Sequence, residues 1–444
     1  MKRNVSFTKE VCLLAIPVAL QCMLQSSFSI VDQIMVGQLG SVSIAAIGLA
    51  GKFSSIFTVV VSAVGAVAGI MISQYIGSED KEEADKSLSV NLLVSIAVSL
   101  LFMLLCIFFP QNIMGIYSTD TVTVSTSAEY LQIISLTFIP VAVTTCLSTM
   151  LRCTGKAMFP LYASIAAALC NTGLNYLLIF GKFNFPEMGV NGAAVATAIS
   201  SFINMAVVIA GFVFAYHKKK KYTFSVHLKK MSVKQYIAIL FPILITEFLW
   251  SLGENIYASI YGHLGTQDCA AMTLTNPIQG LMIGALSGIS QAAGIMIGKK
   301  LGERDYETAY KNSKKLMMYG FAGSIILAVL LIILRFFYVD IYNVEDSVKE
   351  VGSQLLLVFA VVSPIKVLNM ILGGGIIRSG GKTKIVMCID IIGTWGLGVP
   401  LGLISAFIFN LPITYVYFIL SLEELVRLII SLVVFKKRVW IKSL

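Results

Sequence analysis

Acidic side chains lie inside long apolar stretches of this chain, where an uncompensated charge costs several kcal/mol. Asp32 stands in the first such stretch, and Asp390 stands in a later one. Glu247 and Glu254 share another, seven residues apart and therefore on one face of a helix. A carboxylate in such surroundings can bind and release a proton or a metal cation as its access to water changes. We therefore expect coupling to a cation to involve Asp32, Glu247, Glu254 and Asp390.

Amide side chains supply neutral hydrogen bonds in a further apolar stretch. Asn171 and Asn175 are four residues apart, so they share one helix face. Amides of this kind often hold membrane helices together. The alternative is a polar cavity that faces Asp32. On that alternative, the expected substrate-binding residues are Asp32, Asn171, Asn175 and Glu247.

Other charged residues in apolar stretches have a structural explanation. Glu423 precedes Arg427 by four residues and Glu424 precedes it by three, which are the spacings of ion pairs along one helix. The charges of these three side chains are therefore predicted to neutralise one another on one helix face. Lys366 could neutralise a carboxylate of the same half, or it could have a functional role.

The composition identifies the environment of the chain. Of its 444 residues, 57% are hydrophobic and 13% are charged, and the mean hydropathy is +0.86. Soluble domains carry roughly 25% charged residues. The apolar runs reach the ~20 residues that a spanning helix needs and lack the short alternation of a membrane β-barrel. The sequence therefore predicts an all-α membrane protein.

Twelve spanning helices are predicted, six in each half of the chain. An even number in each half gives the halves the same orientation, so they form a parallel repeat. The spans are 11–35, 44–74, 88–109, 127–150, 157–180, 190–216, 234–262, 270–298, 314–338, 351–377, 384–409 and 413–436.

The second half repeats the first at an offset of 225 residues. Residues 68–86 read AGIMISQYIGSEDKEEADK, and residues 293–311 read AGIMIGKKLGERDYETAYK. Equivalent pairs include Pro17 and Pro242, Gly77 and Gly302, Asp80 and Asp305, and, after one extra residue, Arg152 and Arg378. The intramembrane acids are not duplicated between the two halves, which suggests that they have a specialised function. We predict six-helix bundles at 1–216 and 234–444, joined by a basic linker at 217–233.

Lysine and arginine residues set the predicted orientation. Most of the 33 fall in the tails and in loops on one side of the membrane, including the run Lys218–Lys221. By the positive-inside rule both termini and the linker are cytoplasmic, and the expected location is the cell membrane. The net charge of +10 is thus a topology signal and not a sign of nucleic-acid binding.

Several functional classes are disfavoured. No GxxxxGK[ST] phosphate-binding loop occurs. The three histidines show no ligand spacing and the eight cysteines no paired motif, so no metal site, cofactor or enzymatic activity is expected. A transporter of this composition would draw its energy from a gradient of H⁺ or Na⁺. Its expected partners are small-molecule substrates and membrane lipid, with no obligate protein partner.

The chain resembles the multidrug and toxic compound extrusion (MATE) family along both halves. The motifs that carry the resemblance are VDQIMVGQLG at 31–40, ISQYIGSEDKEEA at 72–84, LRCTGKAMFP at 151–160, NTGLNYLLIFG at 171–181, MGVNGAAVATAIS at 188–200, EFLWSLGENIYASIYGHLGT at 247–266, IRSGGKTK at 377–384 and TWGLGVPLG at 394–402.

This resemblance implies two six-helix bundles around a central cavity, and antiport of bulky, often cationic compounds against H⁺ or Na⁺. It matches the family's first-span aspartate to Asp32 and its fifth-span asparagines to Asn171 and Asn175. The seventh-span glutamate corresponds to Glu247 or Glu254, with Glu247 preferred. The tenth span reads IKVLNMILGGG without an acid, which argues against the sodium ligand found there in some relatives.

Two other functions compete with cation-coupled export. A lipid-linked saccharide flippase of the same superfamily would line its cavity with several basic residues, whereas the first-half spans hold only Lys52. A membrane receptor or scaffold would not need intramembrane acids in one copy of the repeat.

Overall fold

The computed structural model describes residues 6–217, 233–342 and 344–443. The chain is 89% helical, and the described residues contain no strand. The α-helices are α1 (Phe7–Gly37), α2 (Ser41–Gly77), α3 (Lys81–Phe108), α4 (Pro110–Gly115), α5 (Thr121–Ser135), α6 (Phe138–Cys153), α7 (Met158–Phe180), α8 (Gly189–His217), α9 (Val233–Leu264), α10 (Thr266–Gly302), α11 (Tyr306–Asp340), α12 (Asp346–Asn369), α13 (Thr383–Asp390), α14 (Val399–Leu403) and α15 (Ile413–Lys436).

The helices make this chain a multi-pass membrane protein. Ten helical stretches among the described residues are long and apolar enough to cross a bilayer, or eleven if the bent pair α5 and α6 forms one span. A helix satisfies its own backbone hydrogen bonds, which is why apolar runs of this length fold as helices in lipid. α15 falls outside this number because Glu423, Glu424 and Arg427 lie in its middle.

The predicted span 127–150 is broken in the structure. α5 ends at Ser135, α6 begins at Phe138, and the two helices meet at an angle of 41°. Pro140 explains the break, since it has no N–H for the carbonyl of Leu136 and its ring crowds that position. The hydroxyl of Thr137 donates to the carbonyl of Ile134 at 2.7 Å and satisfies part of the freed backbone.

The chain forms two compact units. The amino-terminal unit comprises Leu20–Ile72 and the described residues within Asp80–Ser232. The carboxy-terminal unit comprises Ser73–Glu79 and the described residues within Met1–Ala19 and Val233–Leu444. Residues 218–232, which hold almost all of the predicted linker, lie outside the described residues.

Each unit has its own apolar core. In the amino-terminal unit, Phe57 of α2 stacks on Phe138 of α6 with ring centroids 4.1 Å apart, beside the buried Leu131. In the carboxy-terminal unit, the core gathers Leu355, Phe359 and neighbouring side chains. Many large apolar side chains of α3 and α11 are exposed, as expected for surfaces that face lipid.

Three π-helical segments interrupt the helices of the second half: Met370–Ile377 after α12, Ile391–Gly398 after α13, and Ile404–Ile408 after α14. Pro400 has no N–H for the carbonyl of Gly396, which favours the wider turns before it. The first two segments directly follow Asn369 and Asp390. Such segments occur frequently at functional sites.

The ends of α2 and α10 cross with their backbones in contact. A Cβ added at Gly77 would lie 2.0 Å from the carbonyl oxygen of Lys299, and one added at Gly302 would lie 1.9 Å from that of Gln74. The Gln74 amide also donates to the carbonyl of Ser379 at 2.6 Å. Only glycine allows this approach at the two positions.

Aspartates begin the two helices that follow this crossing. The Asp80 carboxylate accepts from the N–H of Glu83 at 3.1 Å at the start of α3. The Asp305 carboxylate accepts from the N–H of Thr308 at 3.2 Å at the start of α11. These contacts are N-caps, which satisfy backbone donors that the first turn of a helix leaves open.

Candidate functional site

Asp32 and the two predicted asparagines lie together in the amino-terminal unit. Asn175 Nδ2 donates to Asp32 Oδ1 at 2.7 Å, so α7 is joined to α1 by this bond. Asn175 is 1% exposed and Asn171 is 8% exposed, whereas Asp32 is half-buried. The side chains of these three residues, which we call the Asp32 triad, combine one titratable acid with two neutral amides.

The Asn171 amide fits the triad in two orientations. In one, its oxygen faces Asp32 and accepts from Asn175 Nδ2 at 3.1 Å, while its nitrogen donates to Thr197 Oγ1 at 3.3 Å. In the other, its nitrogen donates to the Asp32 oxygens at 2.9 and 3.2 Å, but it then meets the Asn175 nitrogen at 3.1 Å. An amide oxygen facing a carboxyl oxygen is favourable only when a proton lies between them.

Two residues near the triad were missed by the sequence analysis. Thr197 of α8 reaches Asn171, and Tyr130 of α5 interacts electrostatically with Asp32. The motif MGVNGAAVATAIS contained Thr197, but threonines in membrane helices usually bond to their own backbone, as Thr197 also does to Ala193. Tyr130 had no distinguishing spacing, and its role follows from tertiary packing.

Local sequence explains why α7 and α8 meet. Gly181 ends α7 in the left-handed conformation at φ 61°, which costs glycine little. A Cβ at Gly192 of α8 would lie 2.6 Å from the carbonyl oxygen of Leu178. This close approach brings the Thr197 turn beside the asparagines of α7.

Asp32 has no cationic partner among the residues that the structure describes. Lys52, the basic residue of the first-half spans, is exposed and forms no ion pair with it in this part of the chain. Neutral amides therefore surround the carboxyl group on its buried side.

Two predicted acids of the second half pair with arginines. Arg378 Nη1 donates to Glu247 Oε1 at 2.9 Å, and Arg427 Nη2 donates to Asp390 Oδ1. Arg378 also interacts electrostatically with Asp390, so these four side chains form a line of alternating charge. In the first half, Arg152 Nη2 donates to Gln21 Oε1 of α1 at 2.7 Å.

Glu254 differs from these paired acids. It is exposed and, among the described residues, its side chain makes no hydrogen bond or ion pair. Lys366 of α12 interacts electrostatically with Glu254, Glu423 and Glu424 but lies beyond ion-pair distance of each. The structure therefore does not bring Glu247, Glu254 and Asp390 into a common cluster of carboxylates.

The predicted self-neutralisation of α15 is only half right. Arg427 forms the expected ion pair with Glu424, with Nη1 and Oε1 3.6 Å apart. It does not pair with Glu423 in the described part of the chain, because its guanidinium turns to Asp390 of α13. Glu423 Oε2 instead accepts from the hydroxyl of Tyr257 at 2.8 Å.

Comparison with known proteins agrees with this fold. The MatE family model matches residues 17–177 and 242–404. The chain belongs to the MATE family. Members of this family are transporters and not enzymes, so the chain's acids belong to a transport protein.

Relatives and solved structures match this MATE chain along nearly its full length. It is 27% identical over 413 residues to a probable multidrug resistance protein NorM of Agrobacterium fabrum, covering 90% of this chain and 88% of NorM. It is 22% identical to the uncharacterized transporter YisQ of Bacillus subtilis, covering 100% and 97%. A crystal structure of MATE in complex with MaL6 superposes with a TM-score of 0.88 at 19% identity, covering 98% and 97%. That likeness shows the fold.

Proposed function

We propose that this MATE chain is a cation-coupled antiporter that exports small organic, often cationic compounds, and that the proton is its coupling ion. Support comes from the multidrug resistance names of its NorM relatives and from its intramembrane acids. Neither observation by itself names the ion, so the choice of the proton rests on the Asp32 triad.

The hydrogen bonds of the triad carry this proposal. When Asp32 holds a proton, its hydroxyl can donate to the Asn171 oxygen, which also accepts from Asn175, while the Asn171 nitrogen reaches Thr197. Every contact is then favourable. When Asp32 is ionised, Asn171 must turn its nitrogen toward the carboxylate and bring two amide nitrogens to 3.1 Å. The triad therefore offers one amide arrangement for the protonated acid and another for the ionised acid, as a group that binds and releases a proton requires.

Exchange follows if the two forms of Asp32 prefer different conformations. A protonated triad suits the buried, hydrogen-bonded arrangement, and an ionised carboxylate suits contact with water or with a cationic substrate. Substrate and proton then compete for one acid, and each biases the protein toward the conformation it fits. Sodium would need more converging oxygens than one carboxylate and two amides provide.

In the second half of the chain, we propose that a cationic substrate binds to Glu254. Glu247 and Asp390 already have arginine partners, so binding a cation there would require breaking an ion pair. Glu254 is exposed and has no such partner among the described residues. We propose that Glu247 and Asp390 stabilise the packing of the helices through these ion pairs. They would take part in cation coupling only when they exchange their arginine partners.

The proposed topology has twelve spans, with α15 as the last and the bent pair α5 and α6 as the fourth. Bundles at 1–216 and 234–444 are related by a parallel repeat, with both termini and the 217–233 linker cytoplasmic in the cell membrane. Three observations support the repeat: the equivalent N-caps of Asp80 and Asp305, the reciprocal glycine contacts, and the two family matches that begin at 17 and 242.

Efflux from proteoliposomes tests the function. Vesicles containing the purified protein and a fluorescent organic cation receive a proton gradient, a sodium gradient or neither. We expect export with the proton gradient, its loss with a protonophore, and its loss in Asp32→Asn. The exposed Glu350→Gln is the matched control and should behave as wild type. Export driven by sodium alone, or undiminished in Asp32→Asn, would contradict the proposal.

A further inference from the structure

Glu423 is a buried acid that the mechanism above does not use. It lies in the middle of α15 and is 6% exposed. In the described part of the chain its sole hydrogen-bond partner is the Tyr257 hydroxyl, 2.8 Å from Oε2. A buried ionised carboxylate normally has a cation or several donors, because one neutral hydrogen bond does not offset its loss of hydration.

The arginine and amide donors nearest to Glu423 are engaged elsewhere, and Lys366 lies beyond ion-pair distance. Arg427 pairs with Asp390 and Glu424. The Asn369 amide nitrogen donates to the backbone oxygen of Glu424 at 2.7 Å and to its side-chain oxygen at 2.8 Å, so it is not a donor to Glu423. Of the three carboxyl groups in this cluster, Glu423 is therefore the one without a charged or amide donor.

The charges of the cluster do not balance when every group is ionised. Asp390, Glu423 and Glu424 supply three negative charges, and Lys366 and Arg427 supply two positive ones. Arg378 also acts on Asp390, but its charge is balanced by its ion pair with Glu247. Glu254, on the α9 face beside Tyr257, adds a further negative charge that acts on Lys366. A proton on one buried acid reduces this excess by one charge.

Packing closes the space around Glu423. A Cβ added at Gly398 would lie 2.2 Å from Glu423 Oε2 and 2.1 Å from the Tyr257 hydroxyl. At Gly393 it would lie 2.3 Å from Cγ of Arg427. Both glycines belong to the π-helical segment Ile391–Gly398, which thereby makes room for the two side chains of α15.

We infer that Glu423 is a second proton-binding group of this chain, held in its protonated form by its burial against Gly398 and by the absence of a charged or amide donor to it in the described part of the chain. This inference rests on the proposed proton-coupled transport for its purpose, but the protonated acid can be detected without transport. Release moves the proton from the carboxyl oxygen to water. The carboxylate that remains lies one helical turn from Arg427, which can then neutralise it.

Infrared difference spectroscopy of the purified protein in lipid, recorded between neutral and alkaline pH, tests the inference. The C=O stretch of a protonated carboxyl group is separate from the bands of carboxylates and amides. We expect a carboxylic acid band in the wild type that is lost in Glu423→Gln and retained in Glu350→Gln. A band that survives unchanged in Glu423→Gln would overturn the inference.

Tyr257→Phe provides a second test if Glu423→Gln does not fold. It removes the single hydrogen bond while leaving the acid, so the carboxyl band should shift to higher frequency. An unshifted band would show that Tyr257 does not donate a hydrogen bond to a protonated Glu423. Asp32→Asn should leave this band in place. If export then proves independent of Asp32 while the Glu423 band behaves as expected, the proposed coupling fails and the second proton site stands.

Discussion

Alanine in place of Gly302 adds a methyl group where the backbones of α2 and α10 touch. The new Cβ would lie 1.9 Å from the carbonyl oxygen of Gln74, while real Cβ contacts begin near 3.0 Å. The two helix ends must therefore move apart by at least the difference, 1.1 Å. Backbone cannot rotate away as a flexible side chain can, so the whole crossing has to shift.

The cost follows from overpacking. Forcing an extra methyl into a close contact typically costs about 1–3 kcal/mol. The 2.6 Å bond from Gln74 to the carbonyl of Ser379 lies beside the crossing, and its loss would add about 1 kcal/mol. Alanine favours a helix over glycine by about 0.5–1 kcal/mol, which offsets only part of this.

Thermal unfolding of the purified protein in lipid nanodiscs measures the effect. Gly262→Ala is the matched control, because it also lies in a helix and its Cβ would meet nothing within 4 Å. We expect Gly302→Ala to unfold at a lower temperature than wild type and Gly262→Ala at an equal or higher one. Equal unfolding temperatures for the two variants would refute the close crossing.

Three further perturbations address other contacts. Arg378→Gln should destabilise the protein by about 2 kcal/mol, since it leaves Glu247 without its ion partner. Adding Glu247→Gln should restore part of that loss, and strictly additive effects in unfolding experiments would argue against the pair. Asp305→Ala should cost about 1 kcal/mol and speed hydrogen exchange at the start of α11, whereas Asp305→Asn should not; unchanged exchange in the alanine variant would exclude the cap. Glu254→Gln should weaken transport of cationic substrates more than of neutral ones, and equal losses would indicate that the acid does not meet the substrate.

Local pattern predicted much of the fold. Apolar runs of spanning length become helices because the bilayer leaves the backbone few other ways to satisfy its hydrogen bonds. The same reasoning missed the break in the fourth span, although Pro140 was visible, because a proline in a membrane helix produces anything from a slight bend to a full interruption.

The amino-terminal part of the site was also accessible from sequence. Asn171 and Asn175 share a face by spacing alone, and the first-half spans offer Asp32 only Lys52 as a cation, so neutral amides were its expected partners. Thr197 and Tyr130 were not accessible, since their positions depend on how α8 and α5 pack.

Ion pairs between helices were beyond sequence reasoning. Spacing predicted that Arg427 would neutralise both Glu423 and Glu424, but the guanidinium has a stronger partner in Asp390 on another helix. An arginine has one planar fork and cannot serve three carboxylates equally. Sequence spacing describes the partners within a helix, whereas tertiary packing decides among those of different helices.

Proton release on substrate binding tests the central claim most directly. Purified protein in weakly buffered solution at fixed pH receives a saturating organic cation, and the released protons are counted with a pH indicator. The account predicts release from the wild type and from Glu350→Gln, and a clear loss of release from Asp32→Asn that still binds the compound. Undiminished release from Asp32→Asn would contradict the account and place the coupling acid elsewhere.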